Sequence, residues 1–144
     1  RRVLFRSYQL VPHIHPEEKK LLDYAPTSGL MYNLPFDNYL GALNYIDEKT
    51  EIKIGSDVLR VIFTPGHSPG SLSFYCEKQT FIISGDVLFY HSIGRTDLPG
   101  GDLNILINSI KSHLFSLPDD TVVYSGHGPE TTIGEEKKSN PFLG

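Results

Sequence analysis

Hydrophobic and polar residues alternate in several stretches of this 144-residue chain, as they do in half-buried β-strands. Residues 51–54 (EIKI) and 57–64 (DVLRVIFT) are separated by a Gly-Ser pair, and this arrangement predicts a β-hairpin. Residues 71–77 (SLSFYCE) and 80–86 (TFIISGD) meet at a short Glu-Lys-Gln turn and predict a second hairpin. The pattern therefore predicts consecutive antiparallel strands after residue 50.

A helical period replaces the alternation in residues 103–115 (LNILINSIKSHLF). Asp102 stands directly before this segment, in a good N-cap position. Residues 119–128 (DDTVVYSGHG) then predict a final short strand that ends in a glycine-rich corner. Residues 51–127 should thus form strands with one helix packed on them, as half of a sandwich. The helix should face the strands with one hydrophobic stripe: Leu103, Leu106, Ile107, Ile110 and Leu114.

The first third of the chain has a looser pattern. A helix is predicted to begin near Pro16, because proline is favoured in the first turn and two glutamates follow it. Residues 26–39 (PTSGLMYNLPFDNY) hold two prolines and a glycine, which predict a loop. Near the other end, residues 134–140 (GEEKKSN) form a charge run that predicts a solvated helix start.

Composition and charge narrow the classes of protein. Thirteen Lys and Arg against seventeen Asp and Glu give a net charge of −4, spread along the chain, which argues against nucleic-acid and anionic-membrane partners. Charged residues at 21% and hydrophobic residues at 39% are typical of a soluble globular domain. The single cysteine, Cys76, excludes an internal disulfide and favours a cytoplasmic location. No stretch is long and apolar enough to predict a membrane span.

Residues 1–7 (RRVLFRS) match nothing that follows, and the chain does not begin with methionine. The string resembles the translated read-through of a sequencing adapter. We therefore interpret residues 1–7 as a non-native leader and residues 8–144 as one truncated domain. The alternative interpretation is a basic start to a first strand.

Three residues of metal-binding type follow strand-like runs at glycine-rich corners. His67 lies in residues 64–71 (TPGHSPGS), Asp86 ends the TFIISGD stretch, and His127 lies in the final SGHGP corner. Glycine beside each allows a sharp turn and the close approach of a metal or substrate. Imidazole and carboxylate are the ligands expected for zinc or another first-row divalent ion. We expect His67, Asp86 and His127 to converge on one edge of the sheet, although each alone could be a structural residue.

Three longer motifs together resemble a known family. TPGHSPGS, SGDVLFYHSIGRTDLPGGD and LPDDTVVYSGHGPETTIGEEKKSNPFL are similar to those of metallo-β-lactamase-fold hydrolases of the glyoxalase II-like (hydroxyacylglutathione hydrolase-like) branch. The resemblance implies an α/β (α+β) fold, a four-layer αββα sandwich of which this chain holds the C-terminal portion. It also implies hydrolysis of a small-molecule hydroxyacyl thioester with two divalent metal ions, Zn²⁺ first and Fe or Mn as alternatives.

The resemblance assigns roles to the three residues. His67 would complete the first metal site, His127 would complete the second, and Asp86 would bridge the two metals as a catalytic residue. Two such metals hold a hydroxide that is nucleophilic at neutral pH and polarise the scissile carbonyl. Ser125 stands where many members carry proline, which changes the turn and not a ligand.

One motif of the family is absent. Its members carry H-x-H-x-D-H near the N-terminus, whereas His13 and His15 are followed by Pro-Glu-Glu. In the family such a stretch comes after the signature, so these two histidines are poor substitutes for the ligands. We expect a chain truncated just downstream of its main metal-binding motif, inactive alone although its complete parent is an active enzyme.

Two other functions stay open: a persulfide dioxygenase-like oxidoreductase with one iron, and a non-catalytic fragment. The dioxygenase branch shares the GRTD stretch but differs from residues 98–102 (LPGGD) and at the third ligand. Arg95 and Asp97 of GRTD predict either an ion pair that fixes the loop or a direct substrate contact. His91 and His113 are expected in structural or surface positions. The sequence does not specify the acyl group, the thiol carrier or the oligomeric state.

Overall fold

The computed structural model describes residues 8–34 and 38–144. The chain forms two compact units, Arg1–Ile46 and Asp47–Gly144. The predicted leader and three residues of the predicted loop lie outside the described residues. Among the helices of the described ranges, none is long and apolar enough to cross a membrane.

Within its described residues, the first unit contains a pair of short strands, a 3₁₀ turn and a helix. Its elements are β1 (His13–Ile14), a 3₁₀ turn (Pro16–Glu18), α1 (Lys19–Met31) and β2 (Asn44–Tyr45), which pairs in parallel with β1. The predicted helix start near Pro16 is confirmed. The turn is capped by His15, because its Nδ1 accepts a 3.3 Å hydrogen bond from the backbone N–H of Glu17.

Helix α1 runs through Pro26, so the loop predicted for residues 26–39 is wrong for residues 26–31. Proline has no N–H to bond the carbonyl four residues earlier, which belongs to Leu22. That carbonyl instead accepts a 2.7 Å hydrogen bond from Nδ2 of Asn38. A side chain thus replaces the missing donor and allows the helix to continue past the proline.

The second unit is built around a six-stranded sheet. The strands and small hairpin of this unit are β3 (Glu51–Ile54), β4 (Asp57–Phe63), β5 (Leu72–Cys76), β6 (Phe81–Gly85), β7 (Leu88–Phe89), β8 (Ser92–Ile93), β9 (Val122–Ser125) and β10 (Thr131–Thr132). The order across the main sheet is β10-β9-β6-β5-β4-β3, and β7 pairs with β8 separately. Both predicted hairpins are confirmed: β4 is antiparallel to β3, and β6 is antiparallel to β5.

The predicted run of antiparallel strands is wrong at β9, which lies parallel to β6 with Val123 opposite Ile82. Parallel neighbours need a long crossover that returns the chain to the same end of the sheet. Helix α2 (Leu103–Ser109) lies in that crossover. Because β6 and β9 run in the same direction, the residues that follow them meet at one edge of the sheet.

Helix α2 begins where the sequence predicts, since the Asp102 carboxylate accepts a 3.0 Å hydrogen bond from the backbone N–H of Ile105. The helix widens into a π-helical turn at Ile110–Leu114. The predicted hydrophobic stripe is exposed at its first residue, Leu103, and fully buried at Leu106, Ile110 and Leu114.

The core lies between α2 and one face of the sheet. Tyr75 of β5, Ile82 of β6 and Val123 of β9 lie side by side in the sheet and belong to the same buried cluster as the α2 stripe. Ile133, the first residue of α3 (Ile133–Ser139), joins this cluster. The second unit is therefore a mixed α/β layer pair, with the sheet ends free to carry polar residues.

Candidate metal site at the sheet edge

The TPGHSPGS corner follows β4 and turns at Gly66, whose φ is +130°. A Cβ at this position would also overlap the backbone of Leu106 in α2, so both conformation and space require glycine. The backbone N–H of Asp102 donates to the Gly66 carbonyl at 2.8 Å. These contacts to α2 fix the backbone that leads into His67.

A backbone carbonyl orients the imidazole of His67. Its Nδ1 lies 2.8 Å from the carbonyl oxygen of Arg95, which can only accept, so in the neutral ring Nδ1 donates and Nε2 keeps the free lone pair. Nε2 lies 3.7 Å from Oδ2 of Asp86. Histidines that ligate metals are commonly held in this way, with one nitrogen bonded to a carbonyl and the other facing the metal.

Asp86 follows β6 directly, where Gly85 turns the chain at a φ of +56°. Two other glycines pack against it. A Cβ at Gly94 would overlap the carbonyl oxygen of Asp86, and a Cβ at Gly126 would overlap its Oδ1. The carboxylate is thus held in a narrow position at the sheet edge, with about a third of its side chain exposed.

His127 lies beyond the end of β9, beside Asp86. Its Nδ1 is 2.9 Å from Oδ1 of Asp86, and its side chain is 71% exposed. Phe89 of β7 packs edge to face on the imidazole, with 6.2 Å between ring centroids. Ser125, where many relatives were expected to carry proline, donates its hydroxyl to the His127 carbonyl at 2.6 Å and stabilises the turn.

The structure brings the three residues together, and Asp86 presents one carboxylate oxygen to each histidine. Imidazole nitrogens and carboxylate oxygens are suitable ligands for zinc, iron or manganese. The number of ligands is too small for a complete metal site. Among the described residues, no three His, Cys, Asp or Glu side chains are grouped so that they could hold one metal ion. His67, Asp86 and His127 would hold only part of such a site, so a complete site needs further ligands.

The other histidines have local structural roles or lie at the surface. The His13 ring lies 3.2 Å from an asparagine amide on β2, and His15 caps the 3₁₀ turn. His91 Nε2 lies 3.0 Å from Oε1 of Glu135, and His113 is exposed in the π-helical turn. The positions of His91 and His113 agree with the structural or surface positions expected for them.

Arg95 and Asp97 form a bidentate ion pair in the loop whose carbonyl orients His67. Nε and Nη2 of Arg95 each donate to a carboxylate oxygen of Asp97 at 2.7 Å. These hydrogen bonds lower the pKa of Asp97 from 3.8 to about 2. Of the two interpretations, the geometry supports an ion pair that fixes the loop.

The segment 134–140 contains a residue that the sequence analysis missed. It forms most of α3, but the solvated helix start predicted there is wrong at Glu136, which has no exposed surface. The signal was in the spacing: Ile133, Glu136 and Asn140 recur at helical intervals, and all three are buried. The burial of Glu136 was not predicted because its neighbours in the sequence are charged.

Comparison with known sequences identifies the family. The sequence model of the Metallo-beta-lactamase superfamily matches residues 3–127, most of the chain. The chain belongs to the metallo-β-lactamase superfamily. The fold class expected from the motifs, a mixed α/β fold of this family, is thereby confirmed.

Curated relatives within the superfamily are longer than this chain. The Bacillus subtilis protein named "Probable metallo-hydrolase YqgX" is 44% identical over 139 residues, which cover 95% of this chain and 65% of the relative. The Haemophilus influenzae hydroxyacylglutathione hydrolase GloC is 39% identical over 128 residues, 88% of this chain and 60% of GloC. The chain thus spans less than two thirds of the length of these relatives.

Solved structures of the superfamily superpose closely. The B3 metallo-β-lactamase BLEG-1 has a TM-score of 0.85 at 41% identity, covering 98% of this chain and 68% of that one. TTHA1623, crystallised in a di-iron-bound form, also has a TM-score of 0.85, at 36% identity and with coverage of 99% and 69%. The family therefore includes a similar protein that holds two iron ions.

Proposed function

We propose that the intact parent of this chain, at the length of its relatives, is a metal-dependent hydrolase of small-molecule hydroxyacyl thioesters, in the glyoxalase II-like branch of the superfamily. The observation that carries the proposal is the carboxylate of Asp86, whose two oxygens face the imidazoles of His67 and His127. A carboxylate between two imidazoles suits a pair of divalent ions bridged by Asp86. The similarity to the hydroxyacylglutathione hydrolase GloC supports the substrate class.

Each residue of the site has a distinct part in this proposal. His67 offers Nε2 because the Arg95 carbonyl holds its other nitrogen, and His127 is exposed enough to face an incoming substrate. Asp86 is held rigidly by the chain around it, so it can keep its two oxygens directed apart. When bound, two divalent ions would supply a hydroxide nucleophile and polarise the thioester carbonyl. Zinc is the proposed metal, and iron or manganese would suit the same donors.

We further propose that the 144-residue chain alone is inactive. Catalytic zinc normally has three protein ligands, whereas the described residues offer two donors to each ion. The remaining ligands would come from the segment by which the relatives exceed this chain. An extended protein that reaches the length of the relatives should therefore be active where the short chain is not.

Turnover of a lactoyl thioester in the presence of zinc tests this proposal. In the extended protein, Asp86→Asn should lower kcat/KM by about a thousandfold, because the bridging carboxylate is lost. Asp120→Asn is the matched control, since Asp120 is exposed in a loop outside the site. Full activity of the Asp86→Asn variant would refute the proposed role of this residue.

Metal analysis of the extended protein separates the alternatives. Two ions per chain support the hydrolase. A single iron per chain would favour a persulfide dioxygenase-like oxidoreductase, and a metal-free protein without turnover would indicate a non-catalytic one.

A further inference from the structure

Glu136 places a carboxylate in the core of the second unit, without any exposed surface. Hydrogen-bond donors from three segments surround it. The Thr131 hydroxyl donates to Oε1 at 2.6 Å, Nδ2 of Asn140 donates to Oε2 at 2.7 Å, and the His91 backbone N–H lies 3.2 and 3.1 Å from the two oxygens. All these groups are donors, so the carboxylate is satisfied as an acceptor.

Two of the donors belong to the segments that carry site residues. His91 lies at the tip of the β7–β8 hairpin, which begins just after Asp86 and leads to Arg95, the partner of His67. Thr131 begins β10, directly after the loop that contains His127. The Glu136 carboxylate is therefore hydrogen-bonded to both the Asp86 segment and the His127 segment.

The third donor reinforces the connection to the hairpin. Nδ2 of Asn140 bonds to Glu136 and also donates to the carbonyl of Ser92 at 3.0 Å. Next to Ser92, His91 adopts a φ of +50°, a conformation that a non-glycine residue keeps only where its surroundings enforce it. The hairpin tip is thus fixed to α3 through both an N–H and a carbonyl.

A hydrophobic residue would fill this buried position at lower desolvation cost than a carboxylate. What the carboxylate adds is the ability to accept hydrogen bonds from separate segments at once. An amide or a hydrocarbon of similar size cannot accept from all these donors. The chemistry of the position therefore indicates a role in holding segments together.

We propose that Glu136 is a positioning residue that holds the β7–β8 hairpin and the His127 loop in register, and so fixes the contact between Asp86 and His127. This inference deepens the proposed function, because a site at the sheet edge depends on that contact. It does not require Glu136 to touch substrate or metal.

Hydrogen–deuterium exchange of the metal-free protein tests the proposal, with Glu136→Gln compared to the wild type. Amides in segments 86–95 and 126–131 should exchange about tenfold faster in the variant, because a buried hydrogen-bonded carboxylate is lost. Strands β4 and β5 should keep their protection. Glu77→Gln is the control, since Glu77 is exposed in the turn between β5 and β6, outside both segments, and its loss should leave both unchanged.

The outcomes discriminate between positioning and general stability. Faster exchange confined to both segments supports the proposal, whereas unchanged exchange, or an equal increase across the whole sheet, overturns it. Should Glu136→Gln fail to fold, Thr131→Val removes one donor and should loosen segment 126–131 alone. No change in that segment would also overturn the proposal. Because the measurement needs neither metal nor turnover, absence of thioesterase activity in the extended protein would refute the proposed function and leave this test intact.

Discussion

The two carboxylate oxygens of Asp86 are directed at different imidazoles because the surrounding chain leaves the side chain little room. Gly126 and Gly94 make that close approach possible, and a carbonyl selects the free nitrogen of His67. The geometry of the site therefore depends on the glycines and the carbonyl that contact Asp86 and His67, as well as on these two side chains.

Gly126→Ala should disturb the site without unfolding the protein. The new Cβ would overlap Oδ1 of Asp86 and push the carboxylate away from His127. In the extended protein we expect zinc binding to weaken by about 10- to 100-fold, the usual effect of disturbing groups that orient a metal ligand. Calorimetric titration measures this, with Gly144→Ala as the control because no atom lies within 4 Å of its added Cβ. Unchanged affinity would show that the carboxylate is not held as described.

Asp97 should titrate with a pKa of about 2 because the guanidinium of Arg95 donates to its ionised form. A folded-state pKa below the ordinary value of 3.8 means that the pair stabilises the folded loop above about pH 4 and loses this effect as the pH falls to about 2. A carboxyl-carbon NMR titration measures the pKa directly. Arg95→Gln should return the pKa of Asp97 towards 3.8, and a normal pKa in the wild type would contradict the ion pair.

At the scale of secondary structure, the start of α2 connects the fold to the site. Asp102 caps the helix with its carboxylate, and its backbone N–H bonds the carbonyl of Gly66 beside His67. Asp102→Ala should lower the free energy of unfolding by about 1 kcal/mol, since the first turn loses its side-chain acceptor. Chemical denaturation measures the change. Asp102→Asn keeps an acceptor and should stay close to the wild type; equal losses in both variants would argue against the cap.

The sequence could predict the elements whose signals are local. Alternation identified both hairpins, and the stripe with its Asp102 cap identified α2. The helical course of residues 26–31 was missed because the partner that satisfies the Leu22 carbonyl, Asn38, comes later in the chain. The parallel pairing of β9 with β6 was missed because strand direction depends on a crossover and not on local periodicity.

Part of the candidate site could also be predicted from local sequence signals. The glycine-rich corners pointed to His67, Asp86 and His127, and the structure brings these residues together. Their role as metal ligands remains a prediction. The sequence analysis missed Glu136, because its neighbours in the sequence are charged and its partner His91 is distant in the sequence.

At the scale of the whole molecule, the chain covers 60% to 65% of the YqgX and GloC sequences that it matches. The described residues bring together one carboxylate and two imidazoles, which are too few ligands for a complete binuclear site. Zinc should therefore bind the 144-residue chain weakly and bind the extended protein as a pair of ions. This prediction requires Asp86 to bridge the pair.

Zinc stoichiometry of the extended protein, measured by calorimetry together with elemental analysis, tests that claim most directly. Two ions per chain are expected in the wild type. His67→Ala and His127→Ala should each weaken a different ion, and Asp86→Asn should weaken both. Two tightly bound ions in the Asp86→Asn variant, or loss of the same ion in both histidine variants, would contradict the bridging role.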